Sequence, residues 1–556
     1  MAEEQMVVTS NPTKKIGFFA AILVVIGSTI GVGIFLRAKT VLENSAGNIL
    51  WAILIWLIAG FAVITLALAL VEVASGRNDN LGMIGWSKAF NTLAIYKANK
   101  FFMTYLYLPL TYFFMPYYVI VQFQDALTGF GITNPNFGAA APAAPWIYFA
   151  IGLVMTVWML FSAGLSGRAG NIQNIIITSF KFIPLVAIVI IGFIFFGQRV
   201  QTHDTTFWTP VTAEALFKKD STSFLGLTPF LGIFGSFAGI FFAFDGFYVS
   251  AGIQSEMKNP EKTPAVLVVG LFSITAIYTI IALSMSLGAK TGGFYDFGEK
   301  LGTAGHGWAF GVINICIAIG VLGVLNGFSM WCTRFVEDLV KEGEIYVSPK
   351  IYRYMKNSNM PIVGALFSLI LSVPLALILT VIGAYAYIGT TWSYVDKTYG
   401  NHMSSLLSFS DLMADWMAVF SFAFIVMAVV GVLENRKKNF IEVEKNRHTV
   451  WAGTIAVIMV MGTVLFKMID PFISLGLSIA KKSTNDIIGY AATSGLFIAY
   501  VIFMFAATPI EKMLALRRKE KLDAAIKVAD NEESIAEINE AKELNDLVLQ
   551  TFETAR

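Results

Sequence analysis

Charge is what this chain has least of. Only 14% of its 556 residues are Asp, Glu, Lys or Arg, against roughly 25% in a soluble domain, while 56% are hydrophobic. There is too little polar surface to cover a water-soluble globule, so the chain belongs in a bilayer. Cysteine is equally scarce. Cys316 and Cys332 lie in one apolar segment, sixteen positions apart, about 24 Å along a helix. That spacing excludes a mutual disulfide, and no metal-ligand pattern is present. Of the four histidines, His203, His306, His402 and His448, none sits deep in an apolar run, so no histidine proton relay is visible. A net charge of +2 gives no general attraction for nucleic acid. No P-loop occurs, which removes direct ATP hydrolysis, and no cofactor motif or enzyme constellation stands out.

What the chain has is long apolar runs. A helix crossing the hydrocarbon core needs about 20 mostly apolar residues. This criterion gives about twelve spans, near 16–36, 50–74, 101–128, 146–163, 172–197, 228–252, 265–288, 308–333, 361–383, 411–433, 449–469 and 487–507. The first has no cleavage pattern and reads as a membrane helix, not a signal peptide. Lys and Arg concentrate in the connections that share a side with both termini, Arg436, Lys437, Lys438, Lys445 and Arg447 most clearly. By the positive-inside rule both termini are cytoplasmic. From Glu511 the composition changes to alternating charge with helix-favouring Ala, Glu, Lys and Leu. Residues 511–556 therefore read as a helical cytoplasmic tail, solvated, or touching a partner or the membrane surface through Ile535, Ile538, Val548 and Phe552.

Two spans carry signs of a break. Gly27, Gly31 and Gly33 fall in the middle of the first, and each glycine costs a helix about 1 kcal/mol relative to alanine. A break there would begin a second half-helix with unpaired N–H groups and a positive dipole end, suited to a carboxylate. Close helix packing accounts for the same glycines. The sixth span contains Asp245-Gly246 within Phe241 to Phe247. If it unwinds, the free carbonyls of its first half can accept from an ammonium group. Spans one and six are corresponding positions of two five-helix halves, the arrangement of an inverted repeat with its site at the midplane.

These residues support a family resemblance. Ile26-Gly27-Ser28-Thr29-Ile30-Gly31-Val32-Gly33-Ile34-Phe35 resembles the helix-1 signature of the amino acid–polyamine–organocation superfamily. Phe241 to Phe247, followed by Glu256-Met257-Lys258-Asn259-Pro260 and Pro264, looks like its helix-6 region. The match is good from about residue 14 to 435, and spans eleven and twelve agree only in being apolar. The resemblance implies an all-α membrane protein with a cytoplasmic N-terminus (1–15), a ten-helix 5+5 inverted-repeat core with discontinuous helices 1 and 6 (16–433), two peripheral helices (434–510) and the tail.

It also implies secondary active transport of an amino acid across the cell membrane by alternating access, through proton symport or amino acid exchange, without a cofactor. Carried over by position, amides around Gly27, Ser28, Thr29, Gly31 and Gly33 would face the substrate carboxylate. Carbonyls around Phe241, Ala243, Phe244, Asp245 and Gly246 would face its ammonium.

Lys181 lies inside apolar span five, where a charge costs about 2.5–3.5 kcal/mol. In the family such a lysine occupies the region of a sodium site found in sodium-driven relatives. It would either carry protons or serve as a fixed ammonium tying helix 5 to helices 1 and 8. Asp245 is a second candidate for coupling, a counter-ion for a cationic substrate, or a cap for the second half-helix. Glu72 in span two reads as a buried partner or an interfacial residue. Phe244, Phe247 and Glu256 are gate candidates, and Tyr105, Tyr107 and Tyr112 could line the pore or simply pack. The partners expected are an amino acid, protons and membrane lipids, with no nucleic acid. Neither cysteine lies in an outer loop, where heteromeric relatives carry a linking disulfide, so a single-subunit transporter, monomeric or dimeric, is expected. Rival readings are a polyamine or organic-cation carrier of the same fold, and a non-transporting amino acid sensor.

Overall fold

The computed structural model describes residues 17–31, 33–77, 81–132, 143–203, 223–227, 231–248, 258–259, 262–289, 292–388, 399–400, 402–528 and 532–553. Among the described residues every regular element is helical. Ten helices among the described residues are long and apolar enough to span a bilayer. They are Ile49–Gly76, Leu93–Gly129, Ala144–Gly164, Gly167–Gln201, Thr263–Gly288, Gly307–Lys341, Ile362–Ala386, Met403–Lys438, Thr449–Ala480 and Thr484–Val528. Spans one and six are the interrupted pair: Phe18–Thr29 is followed by Gly33–Asn44, and Leu231–Phe244 ends in a turn at Asp245 and Gly246. The twelve spans and both breaks agree with the sequence expectation. Local signals start the helices where they start: the Asn48 side chain accepts from Trp51 N–H at 3.0 Å, and Pro145, Pro264 and Pro349 occupy first turns, where no N–H is needed.

Packing follows the sequence of small residues. Span eight lies against spans three and five, and span seven against spans two and five. Gly33–Asn44 lies along Leu231–Phe244, whose small residues Gly232, Ser236, Gly239 and Ala243 recur at helical spacing. Asn44 Nδ2 donates to Ser236 Oγ at 3.2 Å, and an added Cβ at Gly33 would stand 2.5 Å from the Ala243 Cα. In a bilayer the hydrophobic effect does not drive helices together, so such close backbone approach supplies dispersion contact instead.

Several spans run further than hydropathy alone indicates. Span three begins at Leu93 and span ten at Met403, because side chains in their end turns are buried by tertiary contacts. Asp411, for example, pairs with Arg37 at 3.1 Å and accepts from the Tyr118 hydroxyl at 2.6 Å. The last helix passes residue 511 without interruption and ends at Val528. The helix Glu532–Gln550 then returns against it, with Val548 and Phe552 buried beside Ala515. This segment is docked, not solvated, and the cause lies elsewhere in the chain. Lys88, Lys97 and Lys100 converge on the fully buried Glu344, at 3.1, 3.3 and 3.9 Å, and the Tyr96 hydroxyl also donates to it. Glu511 pairs with Lys100 and lies 3.6 Å from Lys97. Thr551 Oγ1 accepts from Lys97 at 2.6 Å, and the Phe552 ring lies 4.2 Å from the same ammonium. The tail covers a cation with a hydroxyl and a π face, which offsets the excess of lysine over glutamate.

Burial alone would raise the Glu344 carboxyl, but the ammonium groups of Lys97, Lys100 and Lys88 hold it below the ordinary glutamate range. The stability it supplies is therefore in place at neutral pH and is lost on acidification through that lowered value. Glu344→Gln leaves buried lysines uncompensated, and should destabilise the protein by about 3–5 kcal/mol. Phe552→Ala should cost less. Thermal unfolding of the two detergent-solubilised variants checks the order, and an unchanged melting temperature for Glu344→Gln would refute the account.

Candidate functional site

The two breaks meet. Span one leaves helical geometry at Ile30, with φ −67° and ψ 115°, and resumes at Gly33. Span six ends at Phe244, and Gly246 takes φ 91°, a conformation glycine adopts without strain. A helix broken inside a bilayer releases backbone donors and acceptors that water cannot reach; two long side chains supply partners to that backbone here, and a third partners the carboxylate beside the second break. Lys181 Nζ from span five donates to the Gly27 carbonyl at 2.8 Å. The Tyr278 hydroxyl from span seven lies 2.9 Å from the Ala243 carbonyl and 3.5 Å from that of Thr29, bridging both breaks. Tyr107, in the π-helical turn Met103–Tyr107 of span three, donates to Asp245 Oδ2 at 3.0 Å and lies 2.9 Å from the Tyr248 hydroxyl.

The predicted residues separate into groups on this geometry. Gly27 and Gly31 leave room for contact: an added Cβ would meet nothing within 4 Å at Gly27 and only Val324 at 3.8 Å at Gly31. Gly33 is a packing glycine at the crossing with Ala243, so for this residue the close-packing explanation holds, although its position in the first turn still leaves its N–H without an intrahelical partner. Thr29 is buried, and its Oγ1 has no partner among the described residues. The Ser28 backbone continues the first half-helix. One lone pair of the Ala243 carbonyl is committed to Tyr278.

Phe241 stacks on Phe422 of span ten at 4.4 Å. Phe244 meets the edge of Tyr278, and Phe247 packs on Tyr248 and Phe422. The two phenylalanines proposed as gates thus face different neighbours on either side of the turn. Asp245 is engaged with Tyr107 through Oδ2, and its buried Oδ1 has no hydrogen-bond partner among the described residues. The structure does not test a capping role, because residues 249–257, Glu256 among them, lie outside the described residues. Tyr107 reaches the breaks, whereas Tyr112 bonds Ser329 at 2.8 Å and Tyr105 stacks outward on Phe101. Glu72 is paired as expected: Arg436 Nε donates to it at 2.8 Å and the Asn446 N–H at 2.9 Å.

Sequence reasoning missed a second cluster, on the membrane side remote from the N-terminus. Arg37, at the end of the span-one signature, is buried with Nη1 3.1 Å from Asp411 and Nη2 3.0 Å from Asp415. The Tyr118 hydroxyl donates to Asp411 at 2.6 Å, and Lys467 lies 4.0 Å from Asp415. The guanidinium stands 5.1 Å from the Phe242 ring. Two acids at i and i+4 in an apolar span were the available signal.

The sequence profile described as amino acid permease matches residues 16–508, and the chain belongs to that family, whose activity is amino acid transport. A protein of Mycoplasma pneumoniae, described as uncharacterized, is 43% identical over 84% of this chain and 86% of its own. The serine/threonine exchanger SteT of Bacillus subtilis is 23% identical over 66% of this chain and 77% of its own. The branched-chain amino acid permease BcaP of the same organism is 25% identical over 59% and 68%.

The glycines give a direct test. Gly33→Ala should cost about 1–3 kcal/mol, because its Cβ collides with backbone that cannot move aside, and Gly27→Ala should leave folding nearly unchanged. Melting temperatures of the two purified variants decide between them, and equal values would remove the close crossing.

Proposed function

We propose that the chain carries an α-amino acid across the cell membrane by alternating access, without sodium, coupled either to protons or to a counter-transported amino acid. The observation that carries this reading is the Lys181 ammonium on the Gly27 carbonyl. A fixed cation already serves the carbonyl at the break in span one, where the resemblance would put sodium in sodium-driven relatives. Amides of the Gly31 and Gly33 region suit the substrate carboxylate, since the first turn of a half-helix offers N–H groups and a positive dipole end. Carbonyls near Phe241 and Phe244 suit its ammonium. Arg37 with Asp411 and Asp415 forms the closure remote from the N-terminus, and opening it separates paired charges. The names of the exchanger and the permease among the relatives agree with a small amino acid cargo.

In proteoliposomes, labelled amino acids should enter equally well with sodium or choline outside. Stimulation by an inward proton gradient would define symport, and uptake only into preloaded vesicles would define exchange. A strict sodium requirement, or binding without flux, would overturn the proposal, the second in favour of a sensor. Lys181→Met should lower uptake at least tenfold by leaving the Gly27 carbonyl unpartnered, with the protein still folded.

Asp245 Oδ1 favours a second reading, a cationic cargo. Asp245→Asn should then abolish uptake of basic substrates and spare neutral ones in the same vesicles. Uniform loss would assign Asp245 to the Tyr107 contact alone.

A further inference from the structure

A cleft of about 740 Å³ opens away from the breaks, between the tail-side end of span three, the last helix and the docked tail helix. Its volume is in the range of ligand sites, and its lining is graded along the last helix. One end is apolar, with Phe101 and Tyr105 facing Phe503 and Ala506, and the other is polar, with Glu511 and Arg518. Ile502 and Ile510, which also line it, are exposed on the surface of the last helix.

The polar end has a definite charge. Glu511 is committed to Lys100 and Lys97, so the remaining charge is the Arg518 guanidinium. That group is held in place: it lies 3.5 Å from the centroid of the Tyr346 ring, and Nη1 donates to Asn545 Oδ1 at 3.1 Å. Asn545 is fixed in turn by donating to the Ala515 carbonyl at 3.0 Å. A guanidinium has five N–H donors, so this bond leaves others for an acceptor. Arg517 and Lys519 flank Arg518 in sequence.

We propose that this cleft binds one anionic phospholipid, with an acyl chain against Phe101, Tyr105 and Phe503 and the phosphate on Arg518. The occupant follows from complementarity. An apolar slot ending in an oriented cation, at the depth where an apolar helix becomes charged, fits a chain ending in a phosphate. A zwitterionic headgroup places a cation of its own beside Arg518 and fits less well. Because three walls come from span three, the last helix and the tail, the bound lipid braces the tail against the transport core.

The test uses the full-length protein in detergent with added phosphatidylglycerol or phosphatidylcholine, read by thermal unfolding and by native mass spectrometry. Phosphatidylglycerol should raise the melting temperature and stay bound, and phosphatidylcholine should do neither. Arg518→Gln should weaken phosphatidylglycerol about fivefold, the contribution of one basic residue at an anionic surface. Because Arg518 also packs on Tyr346, Ala506→Trp serves as the second variant: it fills the apolar end, leaves the polar end intact, and should abolish retention of the lipid. Equal response to both lipids would overturn the proposal, as would a phosphatidylglycerol preference that survives both variants, or a doubled mass without lipid, which would assign the face to a second copy of the chain.

Discussion

In a bilayer, backbone groups released by breaking a helix must be partnered by protein, because no water is there to take them. Most of the central architecture follows from that constraint. Span one stops at Ile30 and span six at Phe244; two neighbouring spans answer the released carbonyls and a third answers the carboxylate beside them. Lys181 takes the Gly27 carbonyl, Tyr278 the Ala243 carbonyl, and Tyr107 the carboxylate that follows the second break. Each is long and carries its polar atom at the tip. Spans three, five and seven can therefore stay packed while only the hydroxyl or ammonium reaches the polar centre. The breaks are stable because the surrounding helices were already close.

The same constraint explains the contrast between Gly31 and Gly33, two residues apart. Gly33 brings the backbone of the second half-helix onto Ala243, and Gly31 faces only the tip of Val324. One glycine fixes the relative position of the two broken helices. The other keeps space beside the backbone of the break. A single motif thus serves packing and access together, and the two explanations of its glycines divide by residue.

Much of this was legible in the sequence, and the limit has a physical form. The number of spans, the two interrupted helices, Lys181 and the pairing of Glu72 could be read because each rests on a local cost: a glycine in a helix, or a charge in an apolar run. The partners could not be read in the same way. The carbonyl that accepts from Lys181 belongs to backbone, which has no sequence signature. Hydropathy places span ten near 411–433, with Asp411 at its edge and Asp415 in its first turns. The helix in fact begins at Met403 and buries them against Arg37, 374 positions away. The tail, read as solvated or as making contact through residues including Val548 and Phe552, could not be placed for a related reason. Its own pattern is weakly amphipathic, and the lysines it covers are on span three.

The two charged clusters differ in what they join. On the tail side, Glu344 and Glu511 connect span three, the connection after span eight and the last helix, none of which is interrupted. Buried pairs of this kind are costly to form and costlier to disrupt, which suits parts that keep their relative positions. On the opposite side Arg37 rides on the second half of broken span one, and its acids lie on span ten. Span one leaves helical geometry at Ile30 and resumes at Gly33, so in the alternating-access cycle proposed above half-helix Gly33–Asn44 would turn as a unit. Any such turn must separate Arg37 from Asp411 and Asp415, while Lys467 and Tyr118 remain to receive the two carboxylates. In that proposed cycle, the charges left behind would therefore be partly compensated, which would lower the cost of opening on that side.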